Sequence, residues 1–320
     1  MTEKLTYRHG TQTSKAVSPI RLRAARDFKM NWSLYLIVLP VLAFYIIFSY
    51  IPMYGAVIAF KNYMPRLGIL GSPWMGFKYF GQFFNSPYFT RLLSNTLQIS
   101  GYSILFGFPM PIILALLINE LKSRKFSRFV QTASYLPHFI SLVIVCSLIK
   151  EFTVKTGLIN DLVAAFGGQR TNMLDNANLF TPIYVLSGVW QELGWSSIIY
   201  LAALMGVDQE LYEAARIDGA GRWRQTFHVT LPCIMPTVIV MLILTLGGIM
   251  NVGFEKIILL YSPITYEKAD VISSFAYRRG LIDKGYSFGA AVGLFNSVVN
   301  FILIVLANII SRRVGETSLW

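Results

Sequence analysis

Apolar runs of about 20 residues recur along this chain of 320 residues, and they constrain its fold more than any other feature. A run of that length crosses the hydrocarbon core of a bilayer as an α-helix. Hydrophobic residues make up 54% of the sequence and charged residues only 14%, which is more apolar surface than a soluble core buries. A β-barrel would instead show alternation over segments of about 10 residues, which the sequence lacks. The chain is therefore predicted to be all-α and integral to a membrane.

Six transmembrane helices are predicted, and an even number places both termini on the same side of the membrane. In the fourth span, Thr181 and Pro182 are expected to form the cap and the first turn. The segment over residues 261–284 is expected to be an outer loop. The approximate bounds of the six spans are residues 32–60, 92–119, 129–149, 181–205, 231–260 and 286–310.

The net charge of +12 suggests at first sight a nucleic-acid partner, but its distribution fits a membrane protein better. With the N-terminus placed inside, the inner segments hold 16 of the 28 Lys and Arg residues, and the longer outer segments hold the other 12. An excess of positive charge on the inner side is what the positive-inside rule predicts. We therefore expect cytoplasmic termini, membrane lipids as partners and no nucleic-acid partner.

A long polar interruption over residues 208–232 separates the fourth and fifth spans. Asp208 is predicted to cap a short helix, and residues 219–221 are predicted to end it where a left-handed residue is needed. A second short helix is predicted over residues 222–228. Small side chains leave the surface of this loop low enough for the backbone of another protein to approach, and they belong to Ala214, Ala215 and Gly219.

This loop resembles the EAA loop of the permease subunits of ATP-binding-cassette importers. Glu213-Ala214-Ala215 is followed by Asp218-Gly219-Ala220 and, after eight residues, by Val229-Thr230-Leu231-Pro232. In that family the loop sits in a cleft of a cytoplasmic ATPase and couples the ATPase to the membrane helices. The resemblance implies the type I importer-permease fold. It also implies coupling roles for Glu213, Ala214, Ala215, Arg216, Asp218, Gly219 and Ala220.

Further segments resemble the branch of that family that handles complex oligosaccharides, and the resemblance as a whole covers about residues 30–313. It implies an oligosaccharide substrate, and a fragment of an acidic polysaccharide is one substrate that it allows. A peptide or amino-acid importer would share the loop but not the aromatic outer segments, and it stays open as the alternative. The segments are residues 50–54, 71–80, 95–97, 108–111 and 135–141.

No enzymatic chemistry is predicted on this chain. It lacks the Gly-x4-Gly-Lys-Ser/Thr motif of a P-loop, so ATP and magnesium are expected on a separate ATPase subunit. Residues 285–289 fit the nucleophile-elbow pattern of a hydrolase, yet no His follows Ser287 and the only later acid is Glu316. The His residues have no partner at metal-ligand spacing, so neither a metal site nor a cofactor is predicted.

Polar and aromatic side chains in the fourth and fifth predicted spans are the candidate substrate contacts, because polar groups in a membrane usually face a cavity or a partner. Indole rings cover the C–H faces of sugars, while amides and carboxylates bond their hydroxyl groups. In the resembled family, substrate contacts come from the spans before and after the coupling loop. An alternative interpretation is an interfacial aromatic belt in which Glu192 pairs with a neighbouring cation. The candidates are Trp190, Gln191, Glu192, Trp195, Thr245, Asn251 and Glu255.

Together these features predict the permease subunit of an ATP-driven importer in the cell membrane, which moves an oligosaccharide by alternating access. Residues 1–30 are expected to form a cytoplasmic tail, residues 31–313 the permease domain and residues 314–320 a second tail. The sequence has no internal repeat, so the pore needs a second, similar permease. The resemblance adds two ATPase subunits and an extracellular solute-binding protein. A proton- or sodium-coupled carrier and a membrane hydrolase are the competing hypotheses.

Overall fold

The computed structural model describes residues 29–314, and almost all of this range is helical. The described residues contain no β-strand, only one isolated bridge between Lys61 and Trp74, so the all-α prediction is confirmed. The chain divides into two compact units, of which the first ends at Ala56 and the second begins at Val57. Most of each predicted tail lies outside the described residues, so the tails and the domain limits stay predictions.

The helices occur in the predicted order, joined by short segments that include several single 3-10 turns. In chain order they are α1 (Trp32–Phe60), α2 (Gly68–Gly71), α3 (Lys78–Phe84), α4 (Phe89–Asn119), α5 (Arg124–Phe139), α6 (Leu142–Thr153), α7 (Leu158–Ala165), α8 (Ala177–Met205), α9 (Gln209–Ile217), α10 (Arg222–Gly247), α11 (Phe254–Leu260), α12 (Tyr266–Ala269), α13 (Ile272–Tyr277) and α14 (Tyr286–Val314).

Within residues 29–314, the helices α1, α4, α10 and α14 are each long and apolar enough to cross a membrane. The bent pair Arg124–Phe139 and Leu142–Ala165 adds a fifth candidate if the pair is counted as one span. The fourth predicted span corresponds to α8, which has 29 residues but carries Gln191 and Glu192 near its middle, and these lower its hydropathy. A helix therefore occupies each predicted position, whereas the count of six spans stays a prediction.

The third predicted span is broken, so the expectation of one continuous helix over residues 129–149 was wrong. α5 ends in a 3-10 turn at Phe139, and the chain bends by 98° before α6 begins. Pro137 cannot donate a backbone hydrogen bond to a continuing helix. Ser141 then caps α6, because its hydroxyl accepts a hydrogen bond from the Ile144 amide. The segment 136–141 is called the bend below.

Two further predicted helix boundaries also differ, one at the beginning of α8 and one at the beginning of α10. α8 begins at Ala177 instead of Thr181, because the Asn176 side chain accepts a hydrogen bond from the Asn178 amide and caps the helix. No separate helix forms over residues 222–228, because that stretch is the beginning of α10. A wide π-helical turn within α10, Thr226–Thr230, accommodates Pro232, whose ring would clash with a carbonyl in a regular α-helix.

Residues 261–284, predicted as an outer loop, form a series of short helices, and the side of the membrane on which they lie stays a prediction. The carboxylate of Asp270 is fully buried and accepts a hydrogen bond from Arg278 Nη2 at 2.6 Å. Burial would lower the pKa of Arg278, but hydrogen bonds with Asp270 and its charge raise it above the ordinary value, so the guanidinium stays charged. Asn95 of α4 donates to the carbonyl oxygens of Glu267 and Asp270. These buried bonds hold the segment against α4.

α8 lies at the centre of the second unit and packs against α4, α5 and α10. The closest approach is at Gly194, where a Cβ would overlap the backbone of Ser134 and Tyr135 in α5. Only glycine permits this contact between the two backbones. Two clusters of buried hydrophobic side chains include residues of this helix, Phe180 and Val185 in one and Tyr200 and Leu204 in the other. A third cluster joins Phe83 of α3 to Val292 of α14.

We predict that Gly194→Ala lowers the melting temperature of the protein in detergent, because the added methyl group has no room between α5 and α8. Overpacking of this kind costs about 1–3 kcal/mol. The matched control is Gly101→Ala in α4, where a Cβ meets nothing within 4 Å. The control should melt at or slightly above the wild-type temperature. Equal melting temperatures for the two variants would contradict the close contact.

Candidate functional site

The loop between α8 and α10 is built around α9. Asp208 caps α9 as predicted, since its side chain accepts a hydrogen bond of 3.0 Å from the Glu210 amide. Val207 and Tyr212 pack into the buried cluster formed by α4, α8 and α10. The Tyr212 hydroxyl also lies 3.0 Å from the hydroxyl of Thr230. α9 is therefore fastened to both of the long helices that flank it.

A Schellman motif ends α9. The Ala220 amide donates to the Ala215 carbonyl at 2.8 Å, and the Gly219 amide donates to the Arg216 carbonyl at 3.0 Å. Gly219 has a φ of +73°, the left-handed conformation that the sequence predicted for this turn. The turn reverses the chain between α9 and α10.

The loop presents its predicted coupling residues to the surface. Glu213, Ala214, Arg216, Asp218 and Gly219 are exposed, while Ala215 and Ala220 are half-buried. Sequence reasoning missed two large exposed apolar side chains in the same loop, Ile217 at 86% exposure and Trp223 at 76%. The sequence did contain a signal for them, because a large apolar side chain is unusual in a loop that is otherwise polar. Exposed apolar groups next to a motif of small residues are typical of a protein interface.

The bend and α8 bring some of the predicted substrate residues together. His138 Nδ1 lies 3.0 Å from Glu192 Oε2, and the His138 ring stacks on Trp195 with centroids 4.4 Å apart. Gln191 Nε2 donates to the Ile140 carbonyl at 3.4 Å. The alternative interpretation paired Glu192 with a neighbouring cation, and His138 is the basic side chain that contacts it. His138 was not predicted as part of the site, although a His beside a Pro inside a predicted span was a signal.

A cavity of about 460 Å³ opens beside this cluster, between α8 and α11. Gln191, Glu192 and Glu255 line it, so it collects three of the predicted residues. Lys256 also lines it and is only 6% exposed. Sequence reasoning missed Lys256, although an ionisable residue directly before an apolar run was a signal.

The remaining predicted substrate residues lie outside that cavity. Trp190 is 48% exposed on α8, and Trp195 joins the site through its contacts with His138 and Phe139 of the bend. Thr245 donates to the Met241 carbonyl of its own helix at 2.8 Å. Asn251 accepts a hydrogen bond of 2.9 Å from Asn296 Nδ2. Of the seven predicted substrate residues, three line the cavity and Trp195 contacts the bend. The other three, Trp190, Thr245 and Asn251, lie apart from both.

Within residues 29–314, no group of three or more His, Cys, Asp or Glu side chains is placed to hold a metal ion. Cys146 is buried, Cys233 is exposed, and both are free thiols. The expectation that ATP and magnesium bind elsewhere stays a prediction.

The chain is similar to several known transport proteins. It is 46% identical over 288 residues, 90% of each chain, to the "Polygalacturonan/rhamnogalacturonan transport system permease protein YteP" of Bacillus subtilis (strain 168). A solved bacterial ABC transporter involved in the import of the acidic polysaccharide alginate matches with a TM-score of 0.85 and 47% identity, covering 92% of this chain and 99% of that one. A structure of the alginate transporter with an alginate pentasaccharide-bound periplasmic protein matches with a TM-score of 0.85 and 46% identity, and it covers the same shares of the two chains.

The family described as "Binding-protein-dependent transport system inner membrane component" matches residues 107–316, a range that includes the whole loop over residues 208–232. The resemblance stated from the sequence is therefore confirmed. This chain belongs to that family and is a permease subunit of an ATP-binding-cassette importer.

Proposed function

We propose that this permease moves an oligosaccharide derived from an acidic polysaccharide into the cell, driven by ATP hydrolysis on separate subunits. The observation that carries the proposal is the similarity at 46–47% identity to YteP and to the alginate transporter chain, over at least 90% of this chain. Both of those proteins are named for polysaccharide substrates. The cavity beside α8 supplies amide and carboxylate groups that suit sugar hydroxyls.

The loop over residues 208–232 is proposed to dock on an ATPase subunit that holds ATP and magnesium. Its exposed residues supply the contact surface, with Ile217 and Trp223 as apolar anchors. Force on the loop would reach α10 directly, because the chain from Arg222 to Gly247 is one helix. It would reach α8 through Val207 and Tyr212. Motion of the two helices is the basis of alternating access in this proposal.

The complete importer is proposed to contain a second permease, two ATPase subunits and an extracellular solute-binding protein. The related alginate transporter was solved with a bound periplasmic protein, which supports the last of these. Both termini are placed in the cytoplasm, on the same side as the loop, in agreement with the distribution of Lys and Arg.

The substrate contacts are proposed to come from the cavity and the bend. Gln191, Glu192 and Glu255 would bond sugar hydroxyls, and the stacked Trp195 would offer an aromatic face. Trp190 would offer a second indole from the exposed face of α8. Thr245 already donates and Asn251 already accepts a hydrogen bond within the chain, so toward a substrate the Thr245 hydroxyl would accept and the Asn251 amide group would donate.

Uptake by the complete importer in proteoliposomes tests the proposed function. We expect ATP-dependent accumulation of a labelled uronic-acid oligosaccharide when the matching binding protein is present. A peptide mixture at the same concentration should not compete with it. Accumulation of a peptide or amino acid instead would favour the alternative substrate class, and uptake without an ATPase subunit would contradict the proposal.

We predict that Gly219→Val abolishes uptake, because a β-branched residue at a φ of +73° strains the turn by about 1–3 kcal/mol and misplaces α9 relative to α10. The matched control is Gly221→Val, at a φ of −68° and with nothing within 4 Å of its Cβ position. The control should retain uptake. Normal uptake by the Gly219 variant would show that the turn geometry is not needed for coupling.

We predict that Trp190→Ala reduces uptake to background while the ATPase subunits still co-purify with the permease. Loss of the indole removes an aromatic face from α8 without disturbing the loop. Trp190→Phe keeps an aromatic ring and should restore part of the activity. Unchanged transport by Trp190→Ala would remove this residue from the proposed substrate contacts.

A further inference from the structure

Lys256 is a buried cation that forms no ion pair with any of the described residues. Its Nζ donates a hydrogen bond of 3.0 Å to the Tyr184 carbonyl and lies 4.8 Å from the centroid of the Tyr184 ring. Among residues 29–314, no carboxylate lies within 4.0 Å of it. An ammonium group has three donors, so one strong acceptor leaves it under-satisfied.

Arg278 is another partly buried cation of this protein, and unlike Lys256 it has a carboxylate partner. Its guanidinium bonds the buried carboxylate of Asp270 at 2.6 Å, so charge is matched by charge. Lys256 is more buried than Arg278 and has only a carbonyl and a ring face. Burying an unpaired ammonium costs several kcal/mol, and a residue of this kind inside a membrane protein commonly marks a binding site.

The surroundings of Lys256 fit a ligand that enters from the cavity. The cavity of about 460 Å³ lies within the range of about 300–1,000 Å³ that small-molecule sites occupy. Gly188 of α8 leaves room for the ammonium, because a Cβ there would lie 3.3 Å from Nζ. Glu192 and Glu255 line the same cavity, and Glu192 is already paired with His138.

We propose that Lys256 binds the carboxylate of a uronic-acid residue as the oligosaccharide passes α8 and α11. This inference rests on the proposed function and adds the group that recognises the charge of the substrate. A uronic-acid ring carries one carboxylate and several hydroxyls. Lys256 pairs with the carboxylate, while the Glu192 and Glu255 carboxylates accept hydrogen bonds from the hydroxyls and the Gln191 amide donates or accepts.

The test is Lys256→Met in the complete importer, with its ATPase subunits and binding protein, and it has two readouts. Uptake of a uronic-acid oligosaccharide should fall at least about tenfold, because a charge-assisted hydrogen bond is lost. The melting temperature of the assembled importer should equal or exceed that of the wild type, because an unpaired buried charge is removed. Lys256→Arg keeps the charge and should retain more uptake than Lys256→Met.

Lys150→Met is the matched control, because it removes an equal charge from an exposed position on α6, and it should leave uptake unchanged. Full uptake by Lys256→Met would overturn the inference. A lower melting temperature or failed assembly of that variant would also overturn it, since Lys256 would then be structural. If the wild-type importer takes up only neutral oligosaccharides, the acidic substrate in the proposed function is wrong, and so is the assignment of Lys256. Full uptake of an acidic oligosaccharide by Lys256→Met contradicts the assignment of Lys256 alone.

Discussion

The contact between the backbones of α5 and α8 at Gly194 determines the geometry of the site. Because no side chain intervenes, the bend lies directly against α8. His138 then meets Glu192 and Trp195, and Gln191 reaches the Ile140 carbonyl at the point where the helix is broken. A broken helix in a membrane protein is tolerated where its backbone groups find partners inside the protein. The polar residues of α8 therefore support the bend as well as lining the cavity.

The parts of the structure that the sequence predicted correctly depend on neighbours in the chain. Asp208 bonds an amide two residues away, and Gly219 ends α9 by a turn that spans six residues. Such features follow from the residue types in a short window. The apolar runs behave in the same way, because their length alone indicates a helix that can cross a bilayer. The helix order and the cap and C-terminal turn of α9 could thus be predicted from the sequence.

The parts that the sequence did not predict depend on residues far apart in the chain. Asn95 bonds the Asp270 carbonyl across 175 positions, and the segment 261–284 has a helical, buried structure for that reason. Nothing local in the sequence showed that Arg278 and Asp270 pair. The bond between Lys256 and Tyr184 joins residues 72 positions apart. Spacing within a helix therefore identified Glu192 and Glu255 but could not find the cation beside them.

The connectivity of the chain links the loop to the cavity. One wall of the cavity is on α8, which leads into the loop, and a second is on α11, which follows α10 after a short break at residues 248–253, while α4 and α6 complete the lining. Tyr184 and Lys256 bond across these two walls. If the loop changes the spacing between α8 and α10, the distance between the walls must change as well. Lys256 would then exchange the Tyr184 carbonyl for a substrate carboxylate in one state and recover it in the other, which gives the two states the different substrate affinities that transport requires.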